Sequence, residues 1–102
     1  MYHLIAMLLD EILNQREAIR ALGRRFGAAN IRVFGSVARR QEQEDSDVDF
    51  LVDLPRGYDL FAQRLPLAQG LSELLARRVD VIPAHELNPH MRRQIQQEAV
   101  QL

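Results

Sequence analysis

The chain has 102 residues, of which 47% are hydrophobic, so one domain with a modest core is expected. Its net charge of -1 argues against a dedicated nucleic-acid binder, and the lack of cysteine excludes disulfides and thiolate metal sites. No apolar run approaches the roughly 20 residues that span a bilayer, and the N-terminal segment lacks the basic start of a signal peptide. We therefore expect a single cytoplasmic domain, residues 1–102, with no membrane contact and no direct binding to nucleic acid.

The first half of the chain predicts one helix and two strands. Apolar residues at helical spacing predict a helix over residues 4–22. A strand, Ile31–Phe34, follows, and the turn at Gly35-Ser36 separates it from a helix-compatible run, Val37–Glu42. A polar loop then leads into a second strand, Val48–Leu54.

The second half predicts two further helices around a third strand. Asp59 is expected to cap a helix that Pro66 splits, with a new helix starting near Leu65. Val79–Ile82 is a short strand, and Asn88 caps a last helix. The side chains of that helix expected to pack inward are Met91, Ile95 and Ala99. The order α-β-α-β-α-β-α predicts a two-layer α/β (α+β) fold, a small mixed sheet of about three to four strands with helices packed on it.

Two aspartates at the second strand are the main candidates for chemistry. Side chains two apart on a strand share a face, so Asp47 and Asp49 project together. Val48, Phe50 and Val52 then point the other way, into the core. Neighbouring carboxylates repel each other unless a cation lies between them, and all-oxygen ligands suit Mg²⁺ or Mn²⁺. The pair therefore predicts a divalent-metal site.

A third candidate ligand, Asp80, lies on the separate strand Val79–Ile82, on the face opposite its two valines. If this strand neighbours the one that carries Asp47 and Asp49, three carboxylates converge and can hold two metal ions about 3.5–4 Å apart. One ion would bind a triphosphate, and the other would activate the attacking hydroxyl. For any one of these aspartates alone, an exposed, solvated carboxylate is the alternative.

The Gly35-Ser36 turn is a candidate phosphate site. A glycine lets a phosphate approach the backbone, and the free N–H groups of a helix start attract an anion. Gly-Ser alone is common in turns, and its weight here comes from the D-x-D strand that opens after ten intervening residues. A phosphate site and a divalent-metal site together are what transfer from a nucleoside triphosphate requires.

Three motifs resemble the minimal nucleotidyltransferase (MNT) family of the polymerase-β-type nucleotidyltransferase superfamily. They are G-S-V-A-R at residues 35–39, S-D-V-D-F-L-V at 46–52 and V-D-V-I at 79–82. The resemblance extends to the C-terminal run N-P-H-M-R-R-Q-I-Q-Q-E-A-V and so covers nearly the whole chain. One departure is Arg40, because the family usually has a small residue, commonly glycine, after the A-R pair. This departure affects the expected geometry of the loop before Asp47 and the fit of the nucleotide.

The resemblance implies the nucleotidyltransferase fold and a role for each metal-site residue. Asp47 and Asp49 would ligate two Mg²⁺ ions. Asp80 would complete the catalytic metal site and help to activate the acceptor hydroxyl. The reaction would be in-line attack on the α-phosphorus of the nucleotide, with pyrophosphate leaving.

The resemblance also implies contacts to the leaving phosphates. Gly35 and Ser36 would contact the β- and γ-phosphates of the nucleotide. Arg39 would neutralise phosphate charge, and an exposed structural arginine is the alternative for this residue. Base recognition leaves no motif in the sequence, so the sequence does not indicate which nucleotide is preferred.

The partner is expected to be a protein. The catalytic elements occupy nearly the whole chain, which predicts an acceptor on another macromolecule, and the small net charge favours a protein over RNA. MNT proteins are commonly antitoxins paired with a small helical HEPN ribonuclease toxin, and the resemblance implies transfer of AMP from ATP to a tyrosine of that toxin. One alternative is a catalytically inactive antitoxin that neutralises its partner by binding. Another is a small-molecule nucleotidyltransferase whose partner subunit completes the acceptor pocket.

The remaining charged side chains suggest no chemistry. The three histidines, His3, His85 and His90, show no metal-ligand spacing and are interpreted as non-catalytic. The pairs Arg77-Arg78 and Arg92-Arg93 are interpreted as solvated helix ends, with a partner surface as the alternative.

Overall fold

The N-terminal helical region consists of two short helices. The computed structural model describes residues 8–102, so residues 4–7 of the first predicted helix, and His3, lie outside the described residues. Helix α1 spans Leu8–Asn14 and helix α2 spans Arg16–Arg25.

The prediction of one continuous helix here is wrong, because the chain turns at Gln15. The backbone angles of Gln15 are φ -103° and ψ 13°, outside the helical range. Its N–H donates to the carbonyl of Ile12 at 3.0 Å as well as to that of Glu11 at 3.2 Å. This tighter turn lets the two short helices follow the sheet with separate apolar faces, Leu8, Leu9 and Ile12 on one and Ile19 on the other.

Four strands form one mixed sheet in the order β3-β2-β1-β4. They are β1 (Ala29–Phe34), β2 (Val48–Asp53), β3 (Val79–Pro83) and β4 (Val100–Gln101). Strand β1 pairs antiparallel with β2 and with β4, whereas β2 and β3 are parallel. The three predicted strands are confirmed as β1, β2 and β3, although β1 starts two residues earlier than predicted. The sequence pattern did not predict β4.

Short helical segments connect the strands. They are α3 (Gly35–Ala38), a π-helical turn at Leu60–Arg64, α4 (Leu65–Leu75), a 3₁₀ turn at Ala84–Glu86 and α5 (Pro89–Glu98). Within residues 8–102, no helix combines the length and the apolar character that crossing a membrane requires.

The predicted helix caps are confirmed. The carboxylate of Asp59 accepts hydrogen bonds from the backbone N–H groups of Phe61 and Ala62 at 2.9 and 3.0 Å. The side-chain oxygen of Asn88 accepts one from the N–H of His90 at 2.8 Å. These bonds satisfy donors that the first turn of a helix leaves unpaired. As predicted, Pro66 divides its segment, since α4 begins beside it.

The main core lies on one face of the sheet, under α1, α2 and α4. Its strand residues alternate along β1, β2 and β3, as a half-buried sheet requires. The side chains of this core include Leu8, Leu9, Ile12, Ile19, Ile31, Val33, Val37, Val48, Phe50, Val52, Leu67, Leu71 and Val81. Burying these apolar groups is the main stabilising contribution to the fold. The opposite face of β2 and β3 carries the aspartates, so the two-layer arrangement separates the core from the site.

Helix α5 buries less than the sequence predicts. Ile95 is buried, but Met91 is 55% exposed and Ala99 is only partly buried. Spacing by four places residues on one helix face but does not say how much of that face meets the sheet. The prediction that Met91 packs inward is therefore wrong.

Candidate active site

Two of the three predicted aspartates lie side by side in the sheet. Strands β2 and β3 are parallel neighbours, and their register pairs Asp49 directly with Asp80. Asp47 precedes β2 by one residue and shares the strand parity of Asp49. The predicted pairing of these strands is confirmed. It places the starts of β2 and β3, which carry the aspartates, next to each other.

The three carboxylates repel one another electrostatically. The pKa of Asp49 is raised to about 6, first because the side chain is partly buried and then because of the negative charges of Asp80 and Asp47. The positive charge of Arg39 acts in the opposite direction. The site therefore carries an excess of negative charge that a bound cation would relieve.

Gly35 lies directly against Asp49. Its φ of 76° falls in the left-handed region, and a Cβ atom built on it would collide with the Asp49 carboxylate oxygen Oδ2. A glycine is therefore required both for the backbone conformation and for the space beside the carboxylate. Ser36 follows it, and within the described part of the chain its hydroxyl makes no hydrogen bond.

Arg39 lies between the aspartates and the C-terminal helix. Its Nη1 pairs with Glu98 Oε2 at 3.2 Å, and its Nε donates to Gln41 at 3.2 Å. A cleft of about 190 Å³ opens beside these groups, lined in part by Gly35, Arg39 and Met91. Arg39 is thus exposed and held by side chains, near enough to Asp49 to affect its pKa.

The residues present fit a magnesium site that the nucleotide completes. Among residues 8–102, no three Asp, Glu, His or Cys side chains enclose a metal position by themselves, and Asp47 Oδ1 instead pairs with Arg78 Nε at 3.0 Å. Mg²⁺ is usually held by one or two carboxylates together with substrate phosphates and water. The paired aspartates, the raised pKa of Asp49 and the cleft beside Gly35 match that donor set.

Comparison with known proteins identifies the family. A family model described as a nucleotidyltransferase domain matches residues 15–102. The chain belongs to this nucleotidyltransferase family. It is 38% identical over 79 residues to the protein adenylyltransferase MntA of Thermococcus cleftensis, covering 78% of this chain and 79% of MntA.

Solved structures agree with this assignment. One protein, provisionally described as a minimal nucleotidyltransferase, is 41% identical, with a TM-score of 0.80 over 92% of this chain and 95% of that chain. A chain from the crystal structure of a toxin-antitoxin with AMP-PNP is 27% identical, with a TM-score of 0.68 over 81% of this chain and 68% of that chain. The predicted nucleotidyltransferase fold and enzyme class are confirmed.

The helix after Gly35 is shorter in this nucleotidyltransferase than the sequence predicts. The run Val37–Glu42, interpreted as a short polar helix or loop, is helical only as far as Ala38, where α3 ends, and Arg40 then has a φ of 57°. The N–H of Arg40 donates to the carbonyl of Val37 at 3.0 Å and that of Gln41 to Ser36 at 2.8 Å. These two bonds form a Schellman motif, whose left-handed position favours glycine. The dipole of a helix this short attracts a phosphate only weakly. Gly35 is therefore the stronger evidence for a phosphate site.

Because of this motif, Arg40 lies in a strained backbone conformation, which the small residue usual in the family would adopt at lower cost. The left-handed conformation is unfavourable for a residue with a Cβ. The side chain of Arg40 pairs with both carboxylate oxygens of Asp10, at 2.8 and 3.3 Å, which ties the loop to α1. The loop before Asp47 therefore keeps the left-handed turn despite the departure.

Two other polar groups lie apart from the aspartates. Asp53 shares the parity of Asp49 but pairs with Arg32 Nη2 at 2.9 Å, at the far end of β2. His85 lies near Tyr58 and Glu86, with 3.9 Å between its Nε2 and Glu86 Oε2.

Sequence reasoning missed Arg77 and Arg78. Arg78 is 76% exposed, as the interpretation of solvated helix ends expects, but both side chains also donate to backbone carbonyls of the loop that precedes β2. The signal was present in the topology: residues just before one of two neighbouring parallel strands that start together must lie beside the residues just before the other.

Proposed function

We propose that this nucleotidyltransferase transfers AMP from ATP to a tyrosine hydroxyl of a small helical HEPN-type toxin, with Mg²⁺, and thereby acts as its antitoxin. The observation that carries the proposal is the register of Asp49 with Asp80, next to Gly35, whose backbone lies against the Asp49 carboxylate. The relative named protein adenylyltransferase and the similarity to a chain of a toxin-antitoxin with AMP-PNP support it. In this proposal residues 1–102 form one cytoplasmic catalytic domain.

The nucleotide would lie with its triphosphate along Gly35 and Ser36. The cleft lined in part by Gly35 and Arg39 leaves room for the phosphates, and Gly35 itself lies against the Asp49 carboxylate, where any larger residue would collide with it. The hydroxyl of Ser36 is available to donate to a phosphate oxygen. Arg39 would offset the negative charge that develops on the β- and γ-phosphates as they leave.

The aspartates would hold two Mg²⁺ ions. When bound, these ions polarise the α-phosphoryl group and lower the pKa of the acceptor hydroxyl. Asp47 and Asp49 would ligate both ions, and Asp80 would complete the site nearer the acceptor. Asp80 is exposed on β3, an edge strand of the sheet formed by residues 29–101, so a macromolecular acceptor can reach it.

The reaction balances as a single displacement. The acceptor oxygen forms a bond to the α-phosphorus, and the bond from that phosphorus to the bridging oxygen breaks. The electron pair leaves with pyrophosphate. The hydroxyl proton would pass to the carboxylate of Asp80, which is exposed, and from there to solvent. The product is an AMP ester of the acceptor side chain.

Transfer can be tested with ATP radiolabelled at either the α- or the γ-phosphate. We expect the α-label to appear on a co-purified HEPN-type partner, the γ-label to remain in pyrophosphate, and Asp47→Asn to abolish labelling. Transfer of the γ-label, or equal α-labelling by Asp47→Asn, would contradict the mechanism. A stable but unlabelled complex would instead support neutralisation by binding, and α-labelling of a small hydroxylated compound without any protein would support the small-molecule alternative.

A further inference from the structure

The segments that precede β2 and β3 lie side by side. The chain enters β2 through residues 44–47 and enters β3 through residues 76–78. The backbone N–H of Val48 donates to the carbonyl of Arg78 at 2.9 Å, at the point where the two strands begin to pair. Side chains on one segment can therefore act directly on the other.

Arg77 binds the backbone of the neighbouring loop. Its Nη1 donates to the carbonyl of Glu44 at 3.2 Å and to that of Ser46 at 3.3 Å. The backbone of Arg77 is itself fixed, because its N–H donates to the Ser72 carbonyl at 3.3 Å and its carbonyl accepts from the Ser72 hydroxyl at 2.6 Å. Ala76, with a φ of 54°, ends α4 at this point. The guanidinium therefore extends from a well-held position.

Arg78 contacts both the loop and a site carboxylate. Its Nη2 donates to the carbonyl of Asp45 at 3.0 Å, and its Nε pairs with Asp47 Oδ1 at 3.0 Å. The Arg78 side chain is 76% exposed. An exposed ion pair of this kind is weak, so Arg78 can hold the Asp47 carboxylate without preventing a divalent cation from taking it.

The loop depends on these two side chains. Within it, the N–H of Gln43 donates to the Ser46 hydroxyl at 2.7 Å, which is a local turn. Among the described residues, every side-chain hydrogen bond or ion pair that reaches residues 44–47 from outside the loop comes from Arg77 or Arg78. Asp49 differs, because it lies inside β2 and the sheet fixes its backbone.

We propose that Arg77 and Arg78 form a clamp that positions Asp47 in the metal and nucleotide site. They are positioning residues, which act through the loop and through Asp47. The proposal rests on the proposed function, in which Asp47 is a metal ligand. A planar guanidinium with several fixed donors suits this task, because it can bind two carbonyls at once.

The test is Mn²⁺ binding by the full chain in the presence of a non-hydrolysable ATP analogue. We expect Arg77→Ala to weaken Mn²⁺ binding by about tenfold or more, the effect typical of losing an outer-shell partner. Removing a positive charge near a cation site would by Coulomb's law tighten binding, so a weakening reports positioning and not charge. The matched control is Arg56→Ala, an exposed arginine beyond the other end of β2, which should stay within about twofold of wild type.

A second readout needs no metal. In EDTA, Arg77→Ala should speed amide hydrogen exchange at Ser46, whose N–H donates to the Gln43 carbonyl at 3.1 Å, by about tenfold and leave the β2 core unchanged. If Arg77→Ala does not fold, Arg78→Gln takes its place in both measurements, with the same directions expected. A folded variant whose Mn²⁺ affinity and exchange rates match wild type would overturn the clamp. If wild type binds no Mn²⁺, the proposed function fails, and the exchange rates alone decide the clamp.

Discussion

Asp49 and Asp53 lie four residues apart on the same face of β2, in opposite electrostatic settings. Asp53 pairs with Arg32 at 2.9 Å and accepts a hydrogen bond from Asn30 at 2.6 Å. Asp49 lies beside Asp80 on the neighbouring strand β3, and the pKa of Asp49 is raised to about 6. At the end of β2 that carries Asp53, an arginine of the protein balances the carboxylate. At the end that carries Asp49, an excess of negative charge remains. Unbalanced charge, more than residue type or strand face, distinguishes the candidate site.

The largest expected effect is on metal binding. With a non-hydrolysable ATP analogue present, Asp49→Asn should weaken Mn²⁺ binding by more than about a hundredfold, beyond what loss of an outer-shell partner causes. Asp53→Asn removes the same charge from the same face and should stay within about threefold of wild type. Equal losses in the two variants, measured by calorimetric titration, would mean that the two ends of β2 do not differ as the structure indicates.

A third carboxylate extends the comparison to the interior. Glu42 is 4% exposed, and among residues 8–102 neither of its carboxylate oxygens has a hydrogen-bond partner. Because a buried unpaired polar group costs about 1–3 kcal/mol, Glu42→Met should raise the free energy of unfolding by roughly that amount. The control Glu44→Met, on an exposed neighbour, should change it by less than about 0.5 kcal/mol. A loss of stability in Glu42→Met, measured by urea unfolding, would show that Glu42 has a stabilising partner after all.

A methyl group at position 35 would collide with the Asp49 carboxylate. Gly35→Ala should cost at least about 1–2 kcal/mol of unfolding free energy from the left-handed backbone alone, and should also weaken binding of the ATP analogue. Gly57→Ala meets no atom within 4 Å and should stabilise the protein by about 0.4–1 kcal/mol. Unchanged nucleotide binding by a folded Gly35→Ala protein would show that phosphate does not approach here.

The smallest expected effect is a pH dependence of stability. The pKa of Asp49 is about 6 in the fold and near 3.8 when unperturbed, so between these values the native state binds more protons than the unfolded chain. The free energy of unfolding therefore falls as pH rises from about 4 to 6. Asp49→Asn should lose this slope and gain about 1 kcal/mol at pH 7, a figure reduced for solvent screening. Urea unfolding in EDTA at both pH values measures the difference, and parallel slopes in the two proteins would contradict it.

Much of the site follows from the period-two alternation of strands. That alternation predicts that Asp49 lies opposite Phe50 and that Asp80 lies opposite Val81, and the short apolar runs place both strands. The Gly-Ser turn before the D-x-D strand predicts a phosphate site at Gly35, but the packing of Gly35 against Asp49 is a tertiary contact that the turn does not predict. Local periodicity was sufficient for the placement of the aspartates on their strands.

Other features depend on tertiary contacts that no local pattern carries. Strand β4 has two residues, too few for any alternation, and exists because it pairs with β1. The exposure of Met91 depends on how far α5 extends beyond the sheet. The burial of Glu42 and the contacts of Arg77 depend on where a polar loop folds, and polarity alone predicts that such residues face solvent.

The most direct test of the account is intact-mass spectrometry of a co-purified HEPN-type partner after incubation with ATP and Mg²⁺. Wild type and Asp53→Asn should increase the partner's mass by one or more AMP units, whereas Asp49→Asn and Asp80→Asn should not. AMP addition by Asp49→Asn at the wild-type rate would contradict the assignment of catalysis to the unbalanced end of β2.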